Sequence, residues 1–295
     1  MVVSANVVAR TIRTFERAAD ANRATPNRRG NVIEVTASDA DDVMITADLH
    51  GNRLNFDQLI EFADLKTRER RHLVMQEVCH GGPLYPSGTG CMSHLLLEDV
   101  AQLKVDYPER FHFLLSNHEW AELTDFPITK SRRMLNLSFR SGMREMYGSQ
   151  TESVRAASLK FIESCPLAVR VDERVFACHS TPEKVDRAGF DSGVFERPLT
   201  ERDLAAHGPV FQLIWGRDFR AANAEAFARL VNADVLIHGH EPCAAGFDTP
   251  NKWQIILDCC GADAGFVVLP TGQAHSQSAI VAAIRKLDDS LDCNR

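Results

Sequence analysis

The chain contains no apolar run approaching the ~20 residues that cross a bilayer; its longest apolar stretches are strand-sized, so no transmembrane helix is expected. It has no Cys-X-X-Cys pair among eight cysteines, which argues against a zinc knuckle or a thioredoxin-like redox site. Several of those cysteines sit inside apolar runs such as VFACHS and IILDCC, where a thiol behaves as a small hydrophobe, and a reducing, cytoplasmic compartment is the expectation. Positive charge is in deficit. Lys and Arg number 33 against 40 Asp and Glu, leaving a net charge of −7 and no global attraction for nucleic acid or an anionic membrane. Arg10, Arg13, Arg17, Arg23, Arg28 and Arg29 gather near the start, but Glu16 and Asp20 interrupt them, and the group reads as a solvated helix face and loop. The start also lacks the basic head, sustained apolar core and cleavage site of a secretory leader. Repeats and low-complexity segments are absent. What is present is a 295-residue chain, 44% hydrophobic and 25% charged, ordinary for a globular protein and long enough to bury a sizeable core.

Apolar spacing predicts a surface helix over 6–22, strands over 31–35 and 42–50, a helix over 56–65, a strand over 72–78, a helix over 93–107 and a strand over 110–117. Later strands are expected over 167–179 (a hairpin about Asp172 and Glu173), 233–240, 253–260 and 264–270, with helical stretches over 130–165 and 219–231. A tail helix over 277–291 would place Ile280, Ile284, Leu287 and Leu291 on one stripe. The alternation is α/β, and nothing marks a domain boundary. Residues 1–295 therefore read as a single domain, with 1–40 as an N-terminal extension, 43–270 as the core and 271–295 as the tail.

The chemistry gathers at strand ends. Asp48-Leu49-His50-Gly51-Asn52 closes one strand, Glu77 to His80 the next, Asn117-His118-Glu119 a third, His179 a fourth and His238-Gly239-His240 a fifth. The carboxyl ends of neighbouring strands in an α/β sheet share a crevice, so residues almost 200 positions apart can converge there. A recurring set of Asp, His and Asn at five such ends points to a metal or catalytic cluster. Carboxylate, imidazole and amide oxygen without thiolate suit Mn²⁺, Fe or Zn²⁺. A carboxylate able to bridge suggests two ions, which suit hydrolysis of a phosphate ester with a histidine protonating the leaving oxygen.

The ordered motifs resemble those of the calcineurin-like metallophosphoesterases, and among them the phosphoprotein phosphatase type. They stand here as Ala47-Asp48-Leu49-His50-Gly51, Gln76-Glu77-Val78-Cys79-His80-Gly81-Gly82, Ser116-Asn117-His118-Glu119, His179 and Gly239-His240-Glu241-Pro242, and the match covers about residues 43–270. The resemblance implies a sandwich of two mixed β-sheets flanked by helices, with a two-metal site at strand carboxyl ends. It implies two divalent ions, Mn first and Fe or Zn as alternatives, and hydrolysis by a water that the ions activate. Asp48 and His50 would hold the first ion, Asn117, His179 and His240 the second, and Glu77 would bridge. His118 resembles the general acid, and Glu119 its motif neighbour that helps hold the loop. Because one histidine follows the glycine of the last motif, His238 reads as a strand residue and not a ligand. Arg53 and Arg217 are candidate phosphate clamps.

The second motif departs from the pattern. Glu77 stands for the bridging Asp, His80 for the Asp that orients the catalytic histidine, and Gly81 for the phosphate-binding Arg. The extra methylene of Glu77 shifts its carboxylate by more than a bond length unless the backbone compensates. His80 then takes another role, with substrate binding one candidate, and glycine offers only a backbone amide. Ala47 and Ser116 replace glycines, which asks only that their φ stay negative. Three readings stay open: a two-metal phosphoesterase, a weakened one-metal enzyme, or a degenerate fold that binds a phosphorylated ligand or partner. The resemblance implies a phosphorylated substrate, a phosphoprotein or a nucleotide such as a bis(5′-nucleosyl) polyphosphate, with loops 81–90 and 124–160 expected to set the specificity.

Overall fold

The computed structural model describes residues 3–287 except residue 173. Among them, two mixed sheets carry the architecture. The larger runs in spatial order through β1 (Arg28–Arg29), β2 (Val32–Val35), β8 (Ala168–Val171), β9 (Val175–Cys178), β10 (Val235–His238), β12 (Gln254–Leu257) and β11 (Phe247–Asn251). The smaller runs β14 (Ile284–Lys286), β13 (Gly265–Pro270), β3 (Asp42–Ile45), β4 (Arg71–Gln76) and β5 (Phe111–Leu114). A separate hairpin pairs β6 (Thr129–Lys130) with β7 (Arg133–Met134).

The central strands β4, β5, β9, β10 and β12 are buried at every residue, as expected of strands covered on both faces. One continuous apolar cluster joins both sheets, from Val43, Val74 and Phe113 to Val169, Phe176 and Leu236. Helices cover it: α1 (Ala5–Arg23), α2 (Arg53–Ala63), α3 (Ser93–Asp106), α4 (Asn117–Thr124), α5 (Leu135–Tyr147), α6 (Thr151–Ser164), and the shorter α7 (Val185–Ala188), α8 (Glu201–Leu204), α9 (Pro209–Trp215), α10 (Ala221–Leu230) and α11 (Gln277–Ala282). In α1 the buried positions Val8, Thr11, Phe15, Ala18, Ala19 and Asn22 recur at helical spacing and pack against α3 and α6. Residues 5–35 are thus built into the fold, because β2 is also an inner strand of the larger sheet.

β3–β4–β5 are mutually parallel in one sheet, and β9–β10–β12 in the other. Their carboxyl ends deliver the segments that carry Asp48, Glu77, Asn117, His179 and His240. The strands are shorter than the sequence predicts, because each ends before its motif. β3 stops at Ile45 and β4 at Gln76, and the chain then turns through His50, Glu77 and His80 at φ +43°, +46° and +64°.

Two segments differ from expectation. The helical stretch over 130–165 begins only at Leu135, since Ser131 and Arg132 at positive φ close the β6–β7 hairpin, and it breaks at Gly148. The tail helix over 277–291 ends at Ala282. Ile284–Lys286 instead pair antiparallel with β13, giving its exposed edge a partner, a better use of a β-branched residue than another helical turn. Leu291, like Glu173 of the β8–β9 hairpin, lies outside the described residues.

Candidate active site

The segment after β3 and the segment after β4 are fastened backbone to backbone. The carbonyl of Glu77 accepts from the N–H groups of both Leu49 (2.8 Å) and His50 (3.1 Å). This lock brings a glutamate to the place where an aspartate is expected. The left-handed backbone at Glu77 redirects the side chain, and its two oxygens face two different sets of imidazole nitrogens. Oε1 lies 3.6 Å from His50 Nε2 and 3.4 Å from His118 Nε2. Oε2 lies 2.9 Å from His179 Nε2. Two clusters of ligand-type residues result, His50–Glu77–His118 and Glu77–His179–His240, and Glu77 belongs to both.

The hydrogen positions in the second cluster follow from its neighbours. Gln76 donates its Nε2–H to the Thr46 carbonyl (3.2 Å), so its Oε1 faces His179 Nδ1 (2.8 Å) and must accept from it. His179 Nε2 therefore carries a lone pair. It points at Asn117 Oδ1 (2.6 Å) and at Glu77 Oε2, both acceptors, and His240 Nδ1 stands 3.2 Å away. The lone pairs of His179 Nε2, Asn117 Oδ1 and Glu77 Oε2 converge with only His240 Nδ1 (3.1 Å from Asn117 Oδ1) placed to bring a hydrogen among them, and Glu77 Oε2 and Asp48 Oδ1 are buried without a donor. Such an arrangement is repulsive unless a cation lies among it. His50 is set the same way, its Nδ1 donating to the Cys79 carbonyl (3.3 Å) and leaving Nε2 free. The residues present fit divalent ions.

Electrostatics agree. Burial pushes the Asp48 carboxyl up to about 8 and Glu77 well above the usual carboxylate range, each raised further by nearby acids. Burial likewise holds His50, His179 and His240 below the ordinary imidazole value, hence neutral and able to ligate. A bound cation reverses the penalty on the carboxylates. Asp48 is positioned by its Oδ2, which accepts from the His240 N–H (2.8 Å), and by Gly239, where a Cβ would stand 2.3 Å from Asp48 Oδ1.

Asn117 and His118 open α4, capped by Ser116. Glu119 points away from the cluster. Its Oε1 accepts from the N–H groups of Val78 (3.0 Å) and Cys79 (2.8 Å), and its Oε2 pairs with Ser116 Oγ, so it braces the loop after β4. His238 is buried at the end of β10 beside Gln254 and its own chain, as a strand residue. His80, offered as a substrate contact, requires correction. It is 2% exposed and sits behind His118, with its Nδ1 3.0 Å from His118 Nδ1 and its Nε2 2.8 Å from Glu122 Oε1. Glu122 was missed by sequence reasoning, although it lies one helical turn after His118, a spacing that puts both on one face of a helix.

A cavity of about 600 Å³ opens over Asp48, His50 and His240, and Arg53, Lys130, Pro83 and Asp258 contribute to its wall. Arg53 pairs with Asp99 (2.6 Å), and Arg217 pairs with Glu241 (2.8 Å) while donating to the His240 carbonyl (3.3 Å). Of loop 81–90, Gly82 and Pro83 reach the cavity, while Ser87 and Gly90 lie against α5.

A family model described as calcineurin-like phosphoesterase matches residues 42–244. The chain belongs to that family. It is accordingly a hydrolase acting on phosphate esters, of a family that uses divalent metal ions. Among solved structures, a protein serine/threonine phosphatase from Saccharomyces cerevisiae, with similarity to human phosphatase PP5, superposes with a TM-score of 0.67 at 15% identity, over 92% of this chain and 86% of that one. A cold-active protein-tyrosine phosphatase of a psychrophilic Shewanella species gives 0.54 at 13% identity, over 85% and 79%. At such identities the likeness speaks for the fold, which is the metallophosphoesterase sandwich. No curated protein sequence matches the chain. No helix among the described residues is long and apolar enough to cross a membrane.

Proposed function

We propose that this phosphoesterase works with two divalent ions, Mn²⁺ foremost, held by Asp48, His50, Glu77, Asn117, His179 and His240, with His118 as general acid. The observation that carries the reading is the position of Glu77, one oxygen toward His50 and His118 and the other toward His179. When bound, such a pair of ions supplies Lewis-acid polarisation of the phosphoryl oxygens and lowers the pKa of a water at the site. The chain's own residues do the rest. Water adds to phosphorus, the bond from phosphorus to the leaving oxygen breaks, and His118 Nε2 gives that oxygen its proton. The first turn of α4 carries Asn117 toward His179 and His240 and His118 toward Glu77. Arg53 and Arg217 border the opening, and both already neutralise a carboxylate, so they present orientation more than free charge to a phosphorylated substrate.

The test is phosphate release from p-nitrophenyl phosphate by chelator-treated protein as Mn²⁺ is restored. Saturable turnover is expected, with His118→Asn reducing it by about 10² to 10⁴ while bound metal per chain stays the same. A folded protein silent with Mn²⁺, Co²⁺, Ni²⁺ and Zn²⁺ would remove the reading.

A further inference from the structure

Behind His118 lies a buried chain of polar groups that the reaction above does not use. Glu122 is 1% exposed, and its Oε1 faces His80 Nε2 at 2.8 Å. The carboxylate also accepts from Asn136 Nδ2 (3.0 Å) and Arg140 Nε (3.3 Å), so α5 holds it in place. A carboxylate receiving these donors has no hydrogen of its own to give, and the proton between it and His80 therefore sits on His80 Nε2. With that proton at Nε2, the lone pair of the His80 ring lies at Nδ1, which meets His118 Nδ1 at 3.0 Å. The hydrogen of that contact belongs to His118, and the nitrogen left to exchange a proton at the site is His118 Nε2. His80 is itself pinned, its N–H donating to Ser93 Oγ (3.0 Å) and its ring set edge-on to Phe139.

We infer that Glu122, acting through His80, is a positioning residue for the general acid, fixing which His118 nitrogen faces the leaving group and balancing the charge on the protonated ring from one imidazole away. The inference rests on His118 serving as general acid. While His118 carries both protons, the nearest carboxylate behind it is Glu122. When Nε2 gives its proton to the leaving oxygen, His118 keeps its Nδ1–H, still donated to His80 Nδ1, and the line returns to neutral imidazoles beside the carboxylate. A carboxylate that orients a histidine through a ring nitrogen supports proton transfer strongly. The geometry also names its own substitute. In histidine and aspartate alike, the polar atom bonded to Cγ stands at the same distance along the side chain, so an aspartate at position 80 would put a carboxylate oxygen where His80 Nδ1 now is. The left-handed backbone there (φ +64°) tolerates aspartate well.

The experiment compares two esters with the Mn²⁺-loaded full chain: phenyl phosphate, whose leaving group needs a proton, and 2,4-dinitrophenyl phosphate, whose leaving group departs without one. Glu122→Gln is expected to slow phenyl phosphate hydrolysis at least ~10-fold more than the dinitrophenyl ester. His80→Asp added to Glu122→Gln is expected to restore most of that difference. Equal slowing of both esters, the mark of a merely structural role, would overturn the inference, as would no slowing at all. A second pair guards against misfolding of the Glu122 variant. His80→Asp and His80→Asn share one shape and differ in charge, and the aspartate should favour phenyl phosphate by the same margin; identical ester preference in the two would again overturn it. A His118→Asn protein hydrolysing phenyl phosphate at the parent rate would instead remove the general-acid reading underneath.

Discussion

Position 81 carries a glycine where the family motif has an arginine, and the backbone accounts for it. Gly81 has φ +134°, and a Cβ there would lie 2.4 Å from the His50 carbonyl oxygen. Its neighbours Glu77 and His80 are also left-handed, so the whole turn is bent toward the loop that carries His50. This bend is what lets the longer Glu77 side chain reach both sets of imidazole nitrogens. The missing arginine therefore cannot simply be put back. Gly81→Arg is expected to cost roughly 1–3 kcal/mol through backbone strain and to weaken Mn²⁺ binding, because the clash falls on the segment that carries the proposed ligand His50. Thermal unfolding and a metal titration check this; a variant as stable and as tight-binding as the parent would sink the account.

Among the elements, α1 shows how far from the site the fold's stability originates. Phe15 is fully buried, its ring 6.0 Å from that of Phe161 in α6, which in turn stacks on Phe113 of β5. Phe15→Ala is expected to destabilise by about 3–5 kcal/mol, seen as a lower urea midpoint, while metal stoichiometry of the folded fraction is unchanged. Loss of metal binding without loss of stability would contradict that separation. The same scale explains what could be read in advance. Apolar runs such as Leu73–Met75 in β4 and Val235–Ile237 in β10 announce buried strands, and motif residues at their ends announce a shared crevice. Glu122 did not announce itself, since reading 110–117 as strand leaves no helix to pair it with His118. The tail was misread because Ile280, Ile284 and Leu287 fit a helical stripe, while the free edge of β13 that recruits Ile284 exists only once the sheet has formed.

Across the whole molecule, β4 and β5 feed the site from their carboxyl ends and carry a different histidine pair near their amino ends. His72 Nδ1 lies 3.0 Å from His112 Nε2, and His112 Nδ1 is buried with no partner. Burial takes His72 down to about 4 and His112 well below the ordinary imidazole value, the latter also repelled by the Lys104 ammonium and His72. Both are neutral in the folded protein, whereas the unfolded chain takes up protons on them as pH drops through ~6.5. Unfolding thus binds protons, and stability falls on acidification from ~6.5 toward 4, by roughly 3 kcal/mol from His72 alone. Lys104 makes the burden worse for His112 but is itself satisfied by Thr25, Pro108 and Phe111. Urea midpoints at pH 7 and 4.5 for the parent and His112→Asn isolate the pair from the site histidines, which both proteins share. The variant should lose less stability between those two pH values, because one group that resists protonation is gone and His72 no longer faces a second imidazole. Identical losses in the two proteins would mean that this pair contributes nothing to acid sensitivity.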